Sequence, residues 1–410
     1  MSVSGASQLP PSRKDPTSPG PTTTPSLEGR SVSVLSGASG HPLFEHEHVF
    51  TALRSIFEEK IAQAHSPDDK ERLSASHKEI EAYLRHNITS LVQEAKESKP
   101  SRISKAKSVT KLAHTIRCLY DKETGKAAFH ISFGTFAGGG EAVIKEVVTI
   151  DEEGRHEVLA QRRLKEKSPD PSSLSREMRA LAIVRDLTKM GIKGIVSQTP
   201  ISYTGKSGLK RASLSDKQPG TVYDFLKSLP KGLKGERWEE RLRIMKEVAR
   251  TVTSIHKAGV VHFDIKPENI LLTKHGRPLL GDFGKAAIVG ETGIDRGSVG
   301  YAAPEAFSGK SAKASPESDL WSLGVLMYTL ATGEAPFIDA QEAITRADTK
   351  EEKKQTVEEF RQSVEELRTS LLSEESLDPN LAKIIAGLLT WDPSQRTTDA
   401  QLCKQLGLPR

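Results

Sequence analysis

Cysteine is nearly absent from this chain of 410 residues: the two present, Cys118 and Cys403, lie far apart and without metal-ligand spacing. That excludes a disulfide framework and suits a reducing, cytoplasmic compartment. Aromatic residues are scarce at 5%, and none interleaves with Lys99, Arg102, Lys105, Lys107, Lys111 and Arg117, which carry much of the net +5 charge. Without rings to stack on bases, that run reads as a solvated linker and gives no expectation of nucleic-acid binding. No apolar run is long enough to span a bilayer, and no charged-then-apolar leader opens the chain. Residues 1–40 hold 10 Ser, 6 Pro, 4 Thr and no aromatic residue. Such a stretch cannot bury enough apolar surface to offset its ordering entropy, so it reads as a disordered tail. It resembles the leaders of bacterial effectors delivered into host cells, as ordinary disordered tails also do.

Residues 41–99 are different in character. Val49, Phe50, Leu53, Ile56, Phe57 and Ile61 recur at helical spacing. After the turn-like Ser66-Pro67-Asp68-Asp69, Leu73, Ile80, Tyr83, Leu84, Ile88, Leu91 and Val92 form a second stripe. The pattern predicts a helical hairpin, either a brace for the rest of the chain or a docking module for a protein partner; the brace is the plainer reading. His46 and His48 have no third ligand nearby, so no metal site is expected there. Residues 100–126 read as a basic linker and a first strand near Thr115–Tyr120, and 127–410 as one larger domain. Within that domain, residues 350–373 carry Val357, Phe360, Val364, Leu367 and Leu371 in steps of three and four. This stripe barely spans two heptads, so it is expected to pack on its own domain rather than form a coiled coil with a partner.

The strongest motif is His262-Phe263-Asp264-Ile265-Lys266-Pro267-Glu268-Asn269, followed by the apolar Ile270-Leu271-Leu272. A turn at His275-Gly276 returns the chain through Leu279-Leu280 to Asp282-Phe283-Gly284, which brings Asp282 beside Asp264 and Asn269. Further on come Gly297 to Glu305, containing Ala303-Pro304-Glu305; Asp319-Leu320-Trp321-Ser322-Leu323-Gly324; and Trp391-Asp392-Pro393-Ser394-Gln395-Arg396. Four such segments in this order resemble the eukaryotic-type serine/threonine protein kinase family, over about Ala127 to Leu406.

The resemblance implies an α+β, bilobal protein-kinase fold: a small antiparallel-sheet N-lobe near 127–215 and a mainly helical C-lobe near 216–410, preceded by the helical region. It implies ATP and Mg²⁺ as cofactors and proteins as substrates. Asp264 would orient the substrate hydroxyl, Lys266 would place a cation near the transferred phosphate, and Asn269 and Asp282 would hold Mg²⁺. Arg396 would pair with Glu305. Lys266 and Ser298 stand where serine/threonine kinases carry a lysine and a small hydroxyl residue. One departure is Phe263, which replaces the arginine that normally grips a phosphorylated activation loop; ordering by phosphate loses a bidentate partner. The alternative is a pseudokinase that binds nucleotide or scaffolds partners.

The N-lobe is less regular. Gly134, Gly138, Gly139 and Gly140 suggest a phosphate-covering loop, since glycines admit close backbone approach, although the spacing is not G-x-G-x-x-G. Ala142-Val143-Ile144-Lys145 matches the usual lysine motif by letter, but too few positions separate it from Gly140 to hold a strand, a turn and another strand. The alternative frame makes 143–150 the second strand and 157–164 the third. Arg162 then takes the lysine's place, with Glu177 as its helix partner. In this frame Val143 covers the adenine, and Lys145 shares its face and supplies the phosphate-binding charge. This relocation is similar to that of the with-no-lysine kinases, though to a different position. The hinge is expected near Ala212–Asp216.

Overall fold

The computed structural model describes residues 46–97, 107–109, 114–121, 126–138, 142–164, 171–205, 208–229, 237–291, 297–307, 313–373 and 377–409. The tail expected over 1–40 and most of the basic run, Lys99, Arg102, Lys105 and Lys111, lie outside them.

The two predicted stripes are helices α1 (Glu47–Gln63) and α2 (Pro67–Glu97). Ser66 Oγ accepts from the Asp69 N–H at 3.1 Å, and Pro67 opens α2 where no amide hydrogen is needed. Seven antiparallel strands follow: β1 (Lys107–Val109), β2 (His114–Asp121), β3 (Lys126–Gly138), β4 (Ala142–Asp151), β5 (His156–Leu164) and, after α3 (Pro171–Lys189), β6 (Thr199–Gly205) and β7 (Gly208–Asp216). Their order in the sheet is β1-β2-β3-β4-β5-β7-β6. Alternation sends Ile116, Cys118, Phe129, Ile131, Val148 and Ile150 to one face, where they form a single core with Leu53, Phe57, Ile80 and Leu84 of the two helices. The hairpin is therefore seated on the sheet. Glu146 of β4 adds an ionic tie, pairing with Lys60 of α1 and with Lys217. Burial opposes its ionisation, but the two ammoniums outweigh that and hold its carboxyl below the ordinary range.

Two expectations change here. Arg117 is not a solvated linker cation: it sits on β2, opposite His130, and only 8% of its surface is exposed. The residues expected as the hinge, Ala212–Asp216, are the end of β7, because its pairing with β6 runs to Leu214 and its pairing with β5 to Asp216. The chain leaves the sheet only at 217–219.

The remainder is mostly helical: β8 (Gly220–Thr221), α4 (Val222–Lys227), α5 (Trp238–Lys257), β9 (Val260–Val261), β10 (Ile270–Leu272), β11 (Pro278–Leu280), β12 (Ala287–Ile288), α6 (Pro316–Thr332), α7 (Ile338–Arg346), α8 (Lys350–Ser373), α9 (Pro379–Leu388) and α10 (Asp399–Leu406). Helix α6 is apolar nearly all round and buried along its length, so it runs through the lobe's centre and stops at Gly333 in the left-handed region, φ 92°. Phe360 of α8 is fully buried against Trp321, Phe337 and Trp391, with Val364 and Leu371 buried beside it. The short stripe of 350–373 is thus a face packed on its own lobe. Among the described residues no helix is long and apolar enough to cross a membrane.

Candidate active site

The hairpin of β10 and β11 turns at Gly276, φ 68°, and pairs Ile270 with Leu280. The Gly281 N–H donates to the Asn269 carbonyl at 2.8 Å, which fixes Asp282 beside the loop that carries Asp264. That loop is held from below by Asp319 of α6. One of its fully buried carboxylate oxygens accepts from the His262 N–H at 2.6 Å, the other from the Phe263 N–H at 2.8 Å. Phe263 sits at φ 65°, a strained value for a large residue that these bonds hold in place. The His262 ring donates from Nε2 to the Gly281 carbonyl at 2.8 Å, accepts from the Asp264 N–H at 3.2 Å and meets Phe283 edge-on at 4.7 Å.

Asp264 is 7% exposed, and each of its carboxylate oxygens has two partners. Oδ1 accepts from Ser298 Oγ at 2.6 Å and faces Lys285 Nζ at 3.3 Å. Oδ2 accepts from Asn269 Nδ2 at 2.8 Å and faces Lys266 Nζ at 3.3 Å. Lys266 also donates to Ser298 Oγ at 2.6 Å. Burial pushes the carboxyl's pKa up, but Lys285, Ser298 and Lys266 outweigh it and keep the group below the ordinary aspartate range. The result is a buried, ionised carboxylate held in one orientation. Lys285 escaped sequence reasoning. Its only signal is its position directly after Asp282-Phe283-Gly284, which does not reveal that its ammonium returns to Asp264.

The structure brings Arg162, not Lys145, to this cluster. Arg162 Nη2 lies 3.4 Å from Asp282 Oδ1. Register between β4 and β5 pairs Ile144 with Arg162 and Lys145 with Gln161. Directly opposed residues share a face, so Lys145 and Val143 project to the side away from Arg162. The expectation that Lys145 enters the cleft beside Arg162 is corrected by this one-residue offset. Lys145 is half-buried, and its ammonium is made less basic first by burial, then by Arg163 and Arg117. Gly134 and Gly138 belong to β3 and Glu177 to α3, while Gly139, Gly140 and the side chain of Glu177 lie outside the described residues.

Among the described residues no cluster of three or more His, Cys, Asp or Glu side chains could hold a metal unaided. Asn269 and Asp282 offer an amide oxygen and a carboxylate, donors of the type Mg²⁺ takes, on segments that the Gly281 to Asn269 backbone bond keeps adjacent. Next to Lys266 and Ser298 opens a groove of about 780 Å³, rimmed by Tyr223, Glu268, Val299, Glu334 and Ile338. Below it, Arg396, with no exposed side-chain surface, holds Glu305 through two bonds of 2.9 and 3.1 Å and stacks over Trp321 at 5.2 Å. This pairing fixes the segment that ends at Ala303-Pro304-Glu305.

Residues 220–406 match the protein kinase domain family. The serine/threonine-protein kinase PSK2 of Saccharomyces cerevisiae is 40% identical over 103 residues, 25% of this chain and 9% of that protein. PknK of Mycobacterium tuberculosis is 41% identical over 104 residues, 24% of this chain and 9% of the relative. PknL of the same organism is 40% identical over 99 residues, 23% of this chain and 24% of the relative. The chain thus matches less than a quarter of the length of each of these relatives.

Proposed function

We propose that this chain, whose residues 220–406 belong to the protein kinase domain family and resemble serine/threonine-protein kinases, transfers the γ-phosphoryl group of ATP to serine and threonine hydroxyls of proteins. The observation that carries this reading is Asp264: a buried carboxylate, ionised and oriented by Lys266, Ser298 and Asn269, with Asp282 beside it. In the step, the substrate oxygen bonds to the γ-phosphorus as the bond from that phosphorus to the β–γ bridging oxygen breaks. The hydroxyl proton passes to Asp264, and ADP leaves with the bonding pair. Such transfers depend on positioning and charge more than on covalent help. Asn269 and Asp282 would hold Mg²⁺, which supplies neutralising charge to the phosphates when bound. Arg162 is the strand cation in reach of that site. The groove beside Lys266 and Ser298 would take the peptide around the acceptor. The composition fits action in a cytoplasm, with delivery into a host cell as a further reading of the Ser/Pro/Thr-rich start.

A second reading, a pseudokinase, is favoured by one observation: the strand cation that reaches Asp282 is an arginine, Arg162, and its guanidinium pairs with the carboxylate that would hold Mg²⁺. Incubating the purified chain with radiolabelled ATP, Mg²⁺ and casein, with Asp264→Asn as control, decides between them. Label in the wild type and none in the variant is expected. Nucleotide binding without any labelling would establish the pseudokinase.

A further inference from the structure

We infer that Lys285 is a positioning residue for the transfer step, holding the Asp264 carboxylate at the oxygen where the acceptor hydroxyl enters. This rests on the kinase reading above. Of the four donors around Asp264, three are tied twice: Ser298 both receives from Lys266 and donates to Oδ1, Lys266 faces Oδ2, and Asn269 donates to the Asp264 backbone carbonyl as well as to Oδ2. Lys285 differs. Among the described residues its ion pair is with Asp264 alone, at 3.3 Å on Oδ1. Its backbone is not free to drift, because Lys285 closes the short turn Phe283–Lys285, Phe283 is buried, and the Ala286 N–H donates to the Phe283 carbonyl at 3.0 Å.

An acceptor hydroxyl must come within roughly 2.6–3.2 Å of a carboxylate oxygen to give up its proton. The donor that can yield is the one with a single, long contact on a flexible stem. Lys285 therefore holds Oδ1 before the substrate arrives and gives way to the hydroxyl. A buried carboxylate otherwise needs its charge compensated on every side, or it turns toward whatever donor remains. With Lys266 on one oxygen and Lys285 on the other, the carboxylate plane is fixed from both ends. The tie also links the first residue after Asp282-Phe283-Gly284 to the catalytic loop without any phosphate.

The test uses the full chain as wild type, Lys285→Met, Lys285→Arg, Asp264→Asn and the Lys285→Met/Asp264→Asn double variant. Steady-state rates with casein should show Lys285→Met lowering kcat about tenfold, as expected for loss of a charge-assisted contact, with KM for ATP within about twofold. Lys285→Arg should recover most of kcat. Urea midpoints of the four members of the cycle should be non-additive, the double variant being no less stable than Lys285→Met alone. Additive losses, or a kcat for Lys285→Met equal to wild type, would overturn the inference. If the wild type itself transfers no phosphate, the kinase reading falls and takes the role in transfer with it. The urea cycle then still reports whether Lys285 holds Asp264.

Discussion

The two lobes were built under different rules. In the C-lobe, Asp264, Lys266, Asn269 and Asp282 lie within one loop and one hairpin, and Asp319 and Arg396 pin the surrounding backbone from inside the core. In the N-lobe, the residue that reaches the site is chosen by strand register, and a shift of one position exchanges Arg162 for a side chain on the other face. The family match follows the same division, beginning at residue 220 and leaving the seven-stranded sheet outside it. A site assembled from local spacing keeps its chemistry in recognisable letters. A site assembled across strands keeps only its geometry, so the letters are free to change.

The hardest blow to this contrast would come from the C-lobe. Asp264→Asn keeps the shape and removes the base, so labelling of casein should fall by about 10²–10⁴-fold while the urea midpoint changes little. A variant that still turns over would mean the legible half is not the working half. Next, Arg162→Met should raise KM for ATP or lower kcat about tenfold or more, as loss of a charged hydrogen bond predicts, whereas Lys145→Met should stay within about threefold. Steady-state kinetics on the pair settle the register argument, and a dead Lys145→Met beside a healthy Arg162→Met would reverse it.

A smaller, sharper contrast lies in two buried histidines. Burial lowers the pKa of His256, but hydrogen bonds to Asp319 and Asp399 outweigh it and lift it to about 9. With a folded value above the ordinary 6.5, its stabilisation is complete below about 6.5 and vanishes as pH rises through about 9. His130 in the sheet is pushed down to about 3 by burial, then by Arg117. Its sign is opposite: the contribution is complete above about 6.5 and is lost as pH falls toward about 3. Urea midpoints measured from pH 4.5 to 9 should therefore lose their alkaline slope in His256→Gln and part of their acid slope in His130→Gln. The smallest effect concerns phosphate. Phe263 packs with Val261, Ala287 and Ala314 where an arginine would seek a phosphate. Phosphatase treatment before assay should change the rate less than about twofold, since no bidentate partner is lost. Thr292, one hydroxyl between Asp282-Phe283-Gly284 and Ala303-Pro304-Glu305, lies outside the described residues.

The sequence made the C-lobe legible because its signals are short-range. Asp264 and Asn269 share one short loop, the turn at Gly276 returns the chain to Asp282, and the Arg396–Glu305 pair is marked by motifs at each end. Helix and strand positions in the N-terminal half were also readable from period: α1, α2, β4 and β5 lie where the stripes and alternation put them. What could not be read was orientation. Val143 and Lys145 alternate correctly, yet only the partner strand tells which face is the cleft. Arg117 looked like one more linker cation although it falls in the expected strand Thr115–Tyr120, because a strand alone does not tell whether both of its faces will be covered. Lys285 and Asp319 act through contacts spanning 21 and 56 residues, distances at which spacing carries no information.

The seating of α1 and α2 on the sheet sets where this protein can be cut. A fragment begun at the first strand of the kinase-like sheet would leave Ile116, Phe129, Ile131, Val148 and Ile150, all without exposed surface in the intact chain, open to water. An apolar face of that kind drives self-association in solution. The smallest piece worth producing for crystals, assays or antibody work therefore starts near residue 46, and a shorter one should be recovered as aggregate rather than as a trimmed, folded protein.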